Sequence, residues 1–573
     1  MNQPAPKNDQ SSSPIDLSNS LAVAYFCMEF ALDDEYGVYS GGLGVLAGDI
    51  LHQANDSQAR LAGIGLAYAS TYKQNLAKDG RQVEEDIPID PTANGLVKIT
   101  DEDDRPIEVT IAIRDRHVKI QAWIKKIGQT SIILLDTNVP ENSTADQHIT
   151  NQLYIGDREH RLLQEMVLGI GGVRMLRAMG LEPDIYHMNE GHSAFLSLEV
   201  SNYYKNHHKD ISFNSALQKC SQKIVFTNHT LVAAGRDVFS FDLVSTYLFE
   251  YAKEIGIPID QIIKMGKIED TSLFSMNMMA LRNACRTNAV SHYHAKKAEE
   301  IWKNQPLIPI TNGIYLPRWT SPHKAELIAT GLTDKSKKDF WMAHQQDKAE
   351  LIKFVEAKTH QIIPQEALII SWARRFVSYK RPLALFWQLQ RLKDIIESSP
   401  VPVHFLFGGK LHPHNEEGKE LMSQVVKLSK SDEFKDNLTF IPNYNLEVAR
   451  YLVRGSDVWL NTPIEGYEAC GTSGMKAALN GVLQCSTNDG WVREVDWKEV
   501  GWILDSKHIS ESLYETIENE IIPLFANRQA DYPEQWVQRM IESSKIITSG
   551  YSTQRMLNDY YTQLYVADSK LAS

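Results

Sequence analysis

The sequence predicts an α/β protein of two Rossmann-like domains facing a cleft. Three observations lead there. Short apolar runs alternate with segments of helical period, the pattern of repeated strand–helix units and a mostly parallel sheet. The series pauses near residue 330, in a polar, Lys-rich helical stretch over 320–360, and then restarts. Many of the apolar runs end in polar residues, as strands do where ligands bind beyond their carboxyl ends. The expected division is a disordered tail over 1–20, a first domain over 21–325, a second over 326–545, and a C-terminal helix over 546–573. That helix is expected to pack, with the first domain as a candidate surface.

In order, AVAYFCMEF (22–30) reads as a strand leading to the glycine-rich loop SGGLGVLAGD (40–49). EVTIAIRDRHVKIQAWI (108–124) and SIILLDTNV (131–139) alternate with period 2, as strands do. HRLLQEMVLGIGGVRMLRAMG (160–180) reads as a helix with Leu163, Met166, Val167, Ile170, Val173 and Leu176 on one face and Gly180 as its left-handed stop. Its interior Gly169, Gly171 and Gly172 lower helix propensity and predict a close packing contact. DIYHMNEGHSAF (184–195), KIVFTNHT (223–230) and LIPITNGIY (307–315) each read as a strand delivering polar residues, including Asn189, His192, His229 and Asn312. After the pause come the strand ALIISWA (367–373), a helix over 381–396 with Pro382 in its first turn, and the strand VHFLFGG (403–409). LTFIPNY (438–444), the helix LEVARYLVRG (446–455), DVWLN (457–461) and GVLQCS (481–486) continue the series. In TQRMLNDYYTQLYVADSKL (553–571), Met556, Tyr560 and Leu564 share one helical face.

The 573 residues suffice for two or more cores. A formal net charge of −13 argues against a general affinity for nucleic acid or anionic membrane, and leaves room for a local basic pocket. The five cysteines are scattered and form no CxxC, which argues against a disulfide framework or a cysteine zinc site. They suit a reducing cytoplasm, the expected location. The Pro/Ser-rich start lacks the regions of a signal peptide.

Two stretches carry chemistry. In EACGTSGMKAALNG (468–481), Gly471, Gly474 and Gly481 allow close backbone approach or sharp turns. Thr472 and Ser473 supply hydroxyls, and Lys476 precedes an apolar run. A lysine drawn out of water can lose its proton and form a Schiff base. Taken alone, the stretch reads better as a strand-to-helix turn with a surface lysine, because glycine-rich turns are common. ARRFVSYKR (373–381) places Arg374, Arg375, Lys380 and Arg381 between a strand and the expected helix start. Cations there oppose the helix dipole unless an anion joins them, which points to a phosphate site.

Together these stretches resemble the α-glucan phosphorylase family. EACGTSGMKAALNG is similar to the family's pyridoxal phosphate attachment segment. YFCMEF, YSGGLGVLAGD, HMNEGHSAF, FTNHT, ITNGIYLPRW, ARRFVSYKR, FGGKLHP and IPNY follow in family order, across residues 25 to about 505. The short bacterial members are the most similar. Arg374 stands where many members carry lysine, Cys470 replaces a common serine and Ser473 a common glycine.

The resemblance implies the GT-B glycosyltransferase architecture and reversible phosphorolysis of terminal α-1,4-linked glucose from glycogen, starch or maltodextrin, with retention. Lys476 would carry pyridoxal 5′-phosphate, whose phosphate acts as proton shuttle. Arg374, Lys380, Thr472 and Ser473 would surround that phosphate, and Tyr444 would border the cofactor. Arg375 would hold substrate phosphate, with backbone N–H groups of Gly41, Gly42 and Leu43. His229 would bind the glucosyl hydroxymethyl group, and Asn312, Glu468 and Gly471 the other sugar hydroxyls. Asn189 and His192 lie at an equivalent strand end. The partners would be glucan and phosphate, without metal, with a homodimer as one expected assembly and without allosteric control. Two alternatives stay open: a nucleotide-sugar glycosyltransferase, which would not need Lys476, and an inactive glucan-binding protein.

Overall fold

The computed structural model describes residues 22–33, 37–154, 156–208, 210–230, 237–302, 305–528 and 531–566. The expected tail lies outside them, as do the last residues of the C-terminal segment. The protein is mixed α/β with two large sheets. In the ten-stranded sheet, Val23–Phe26 lies between Leu61–Leu66 and Ile185–Asn189, all parallel. Thr130–Asp136 extends one side in parallel. Ile224–Asn228, Arg286–Ala289 and Ile308–Pro309 extend the other. Val23–Phe26 and Leu61–Leu66 carry no charged side chain and are wholly buried, as strands covered on both faces are.

One edge departs from the parallel expectation. Arg116–Ile127 runs antiparallel to Thr130–Asp136 and pairs with Val109–Ile113 in a hairpin. Its turn is made at Arg114, with φ of 54°. A tight turn imposes antiparallel pairing, whereas a parallel neighbour needs a crossover.

The six-stranded sheet is parallel throughout. Numbered by chain order within this half, its strands lie 3-2-1-4-5-6: Leu438–Ile441, Val403–Gly408, Leu368–Ala373, Val458–Asn461, Leu483–Thr487 and Gly501–Leu504. This is the order of a doubly wound sheet, with its switch point between the first and fourth strands. Lys337–Thr359 forms a long helix over this half, meeting Leu446–Gly455.

Other expected elements changed on folding. The strand over 22–30 stops at Phe26, and Phe30–Ala31 pairs instead with Gly37–Val38. In 307–315 only Ile308–Pro309 is strand, so Asn312 sits in the loop beyond it. The helix over 160–180 contains a π-turn at Val167–Gly171. Its glycines are packed as expected: a Cβ on Gly169 would lie 2.9 Å from the Leu196 nitrogen, and one on Gly172 2.7 Å from the Phe26 ring. The helix expected over 381–396 begins only at Leu389. Arg381 precedes proline, which disfavours the right-handed helical region, and adopts φ of 48°. The cations of 374–381 are therefore in a loop and a 3₁₀ turn at Ser378–Lys380, and the dipole argument for them does not apply.

The halves are joined in three ways. The hairpin Ser70–Leu76/Gln82–Pro88 reaches from the first half to the second. Gln74 donates to the Gly409 carbonyl at 2.8 Å and accepts from Asn443 N–H at 2.7 Å. Gln82 exchanges two hydrogen bonds with the Leu411 backbone, at 2.9 and 3.0 Å. Asn480 of the second half donates to the Trp319 carbonyl at 2.9 Å, and the Trp319 indole in turn donates to Asp49 in the helix Gly42–Asp56 at 2.9 Å. Finally, Met556, Leu557, Tyr560 and Leu564 of the C-terminal segment are buried in the core of the first sheet.

Candidate functional site

Both sheets present their carboxyl ends, at their switch points, to one cleft of about 1370 Å³. Gly41, Gly42, Leu43, His192, His229, Asn312, Arg374, Arg375, Lys380, Tyr444, Glu468, Gly471, Thr472, Ser473 and Lys476 all line it. Asn189 is buried directly behind, against His229.

The second sheet supplies the charged wall. Ala373 ends a fully buried strand, so Arg374 and Arg375 emerge at the switch point. Arg374 is buried, and its Nε and Nη1 make no hydrogen bond among the described residues. Its Nη1 stands 3.7 Å from Glu468 Oε2, and Lys380 Nζ is 2.9 Å from the same oxygen. Glu468, expected on the sugar hydroxyls, is thus ion-paired with Arg374 and Lys380, expected around the cofactor phosphate. They hold its carboxyl down at about 2 against the effect of burial. Burial, then the Arg374 charge, pushes Lys380 down to about 8, with Glu468 acting the other way. Arg375 is exposed to the cleft; its guanidinium faces the glycine loop, since a Cβ on Gly41 would lie 3.5 Å from Arg375 Nε.

Gly471 takes φ of 89°, the left-handed conformation that favours glycine, and starts the helix Thr472–Leu479. Thr472 and Ser473 in its first turn line the cleft. Lys476 follows one turn later with its amine 4.2 Å from the centre of the Trp319 ring. Burial pushes that amine down to about 8. Asn480, a turn further on, donates to the carbonyls of Lys476 and Trp319, both at 2.9 Å, and so ties ring and helix together. Tyr444 packs beside Gly408, whose added Cβ would lie 3.4 Å from its ring.

The first sheet supplies a wall whose histidines are neutral. His229 follows the strand Ile224–Asn228, and its Nε2 is 2.6 Å from Asn189 Oδ1. Its backbone N–H donates to Glu190 at 3.0 Å. Burial pushes His229 and His192 down to about 3, so both are neutral. His192 Nε2 is 3.3 Å from Asp237. The Asn312 side-chain oxygen is buried without a partner among the described residues. The Gly41 N–H, expected on phosphate, donates here to Glu29 at 3.2 Å, beside the Ser40 N–H at 2.6 Å. The carboxylate of Glu29 sits under the loop because it also accepts from Tyr154 at 2.8 Å.

Sequence reasoning missed Glu29, Trp319 and Glu190. All three lie inside matched segments, but their partners come from distant chain, so no local pattern marks them. The described residues contain one His/Asp/Glu group of metal-binding dimensions, His323, Asp347 and Glu350; it is remote from Lys476 in sequence, and Asp347 pairs with Lys324 at 2.8 Å. No helix among the described residues is long and apolar enough to cross a membrane.

The carbohydrate phosphorylase family model matches residues 304–501. The chain is 35% identical to maltodextrin phosphorylase of Thermococcus litoralis, over 95% of this chain and 70% of the relative. It is 31% identical to glycogen phosphorylase of Aquifex aeolicus, over 95% and 86%. It is 32% identical to glycogen phosphorylase of Mycobacterium bovis, over 95% and 70%. With this extent of identity on a cleft that joins a buried lysine to a cluster of cations, the chain belongs to the carbohydrate phosphorylase family.

Proposed function

We propose that the protein is an α-glucan phosphorylase, which transfers terminal α-1,4-linked glucose of glycogen, starch or maltodextrin to inorganic phosphate and yields glucose 1-phosphate. The single observation carrying this reading is the pairing of a desolvated amine, Lys476, with a buried and partly unpartnered guanidinium, Arg374, in one cleft. A buried donor without a partner is unfavourable unless a ligand completes it. An anionic cofactor with an aldehyde fits both groups, and pyridoxal 5′-phosphate is the group the resemblance implies. Lys476 would attach it, with Arg374, Lys380, Thr472, Ser473 and Gly42 around its phosphate and Tyr444 at its edge. When bound, it supplies a phosphate with a second pKa near about 6, suited to exchanging a proton with substrate phosphate.

The chain's own residues then orient the reactants. Arg375, exposed to the cleft opposite the glycine loop, holds substrate phosphate as a charge-assisted fork. Gly42 and Leu43 open the helix Gly42–Asp56, whose terminus favours an anion. Gly41 lends its backbone as a close wall. His229, Asn312, Glu468 and Gly471 read the glucosyl unit. Substrate phosphate protonates the departing glycosidic oxygen and attacks from the same face, so the α configuration is retained. This route requires no pair of catalytic carboxylates.

In this reading the two sheets belong to two Rossmann-like domains in a GT-B arrangement, over 21–325 and 326–545, with the segment over 546–573 seated on the first. The partners are glucan and phosphate. Cys27, Cys220, Cys470 and Cys485 are buried and form no disulfide, which supports a reducing, cytoplasmic setting. A homodimer is the assembly to test by sedimentation.

The decisive experiment incubates purified holoprotein with maltodextrin and phosphate and records both glucose 1-phosphate and the cofactor's absorbance band. Release that depends on phosphate, with a band lost after borohydride trapping at Lys476, is expected. Transfer from a nucleotide sugar without such a band would replace this reading with the glycosyltransferase one.

A further inference from the structure

The turn after the strand Ile185–Asn189 fixes more than a backbone path. Cys27 Sγ lies 3.1 Å from the Glu29 carbonyl oxygen and donates its hydrogen there. A thiol has one hydrogen, so toward Asn189 the sulfur can only accept. Asn189 Nδ2 donates to it at 3.2 Å. This sets the orientation of the amide, and Oδ1 faces His229 Nε2 at 2.6 Å. An amide oxygen has no hydrogen to give, so Nε2 carries the ring's hydrogen. Cys27 and Asn189 are buried, which keeps water from breaking the sequence of bonds. Since the ring is neutral, its other nitrogen, Nδ1, bears a lone pair. His229 lines the cleft, and its main chain is pinned by Glu190, a residue held at φ of 73°. Left-handed φ at a residue other than glycine is maintained only where the surroundings over-determine it.

We propose that Asn189 is a positioning residue that, directed by Cys27, locks His229 in its Nε2–H form, so that Nδ1 accepts a hydrogen bond from a donor hydroxyl of the bound glucosyl unit. The identity of that donor rests on the glucan reading above; the state of the ring does not. Recognition at this point therefore demands a group that can donate. A site built around a hydrogen bond discriminates against an analogue that lacks it, because its own group is left unpaired.

The test uses holoenzyme, maltodextrin primer and three donors in the synthetic direction: glucose 1-phosphate and its 6-deoxy and 6-fluoro analogues. Fluorine can accept but not donate, so both analogues should lose a similar factor in kcat/KM. Asn189→Leu, which keeps bulk and removes the acceptor, should lower kcat/KM for glucose 1-phosphate by roughly tenfold, about the effect of one such bond. It should change the 6-deoxy analogue little. The ¹⁵N signals of the His229 ring, assigned with His229→Gln, should report a bare Nδ1 in the wild type and a mixture of forms in Asn189→Leu. A 6-fluoro analogue clearly better than the 6-deoxy one, or an Asn189→Leu loss equal for all donors, overturns the proposal. So does a protonated Nδ1 in the wild type. If Asn189→Leu fails to fold, the wild-type comparison and ring signal still decide. If glucose 1-phosphate is not used at all, the glucan reading fails, and the ring signal alone confirms or refutes the lock.

Discussion

On the first sheet's wall of the cleft, ionisable rings are buried, neutral and tied by short directed hydrogen bonds, such as His229 to Asn189. On the second sheet's wall, three cations, Lys380, Arg374 and Arg375, act on one carboxylate, Glu468, and the buried arginine keeps donors unpartnered. The difference teaches how one cleft handles two unlike reactants. A sugar offers only hydroxyls, so its discrimination depends on which partner donates and which accepts. Phosphate offers charge and many equivalent acceptors, so an excess of cations serves it with looser geometry.

The largest way to break this comparison is to remove the second wall's amine. Lys476→Ala should abolish the cofactor band and turnover, while the variant keeps a melting temperature close to that of the wild-type apoprotein, because the change removes a desolvated amine and leaves the apolar side chains around it in place. Turnover by the fully substituted variant without added amine would refute the assignment. A smaller effect should follow Arg375→Ala. Losing a charged hydrogen bond corresponds to roughly 1.5–3 kcal/mol, or about ten- to a hundredfold in the phosphate needed. The glucan requirement, set by the other wall, should move far less; equal shifts in both would dissolve the division of labour.

The smallest effect sharpens the comparison through pH. Lys380 is held near about 8, so it is protonated below that value and neutral above it. Binding an anion favours the protonated form; affinity for phosphate should therefore be full below about pH 8 and fall by a few-fold as pH rises through it. Glu468 raises the Lys380 value, so Glu468→Gln should move the fall to lower pH. Phosphate-concentration series across pH read this directly. A fall that stays put in Glu468→Gln would assign it to another group.

How far this arrangement was legible depended on range. The cation cluster at 374–381 and the glycine–lysine segment at 468–481 announce themselves locally, because unusual residues crowd a few positions. The alternation of strands and helices likewise follows from apolar periodicity. The Asn189–His229 bond joins strand ends 40 residues apart, and Gln74–Asn443 spans 369. Neither leaves a periodic or compositional trace. The helix expected over 381–396 shows a different limit. Its apolar spacing suits a helix, but Arg381 before Pro382 turned the backbone left-handed and postponed the helix to Leu389. The antiparallel edge of the first sheet was hidden in one run, EVTIAIRDRHVKIQAWI, which folds back at Arg114.

The C-terminal segment crosses back to the first sheet, where Tyr565 reaches His187 at 2.7 Å and Arg555 caps the carbonyl of Thr311 at 2.6 Å. The proposed boundary near residue 325 would therefore separate two stretches of sequence without separating two bodies of packing. A chimera that exchanged the first half with that of a relative through a single junction would inherit a slot shaped for a foreign tail. Met556, Tyr560 and Leu564 would meet side chains they had never been selected against. Recombination that respects this protein's architecture needs two junctions, one near 325 and one before 546, and carries the terminal segment along with the half it covers.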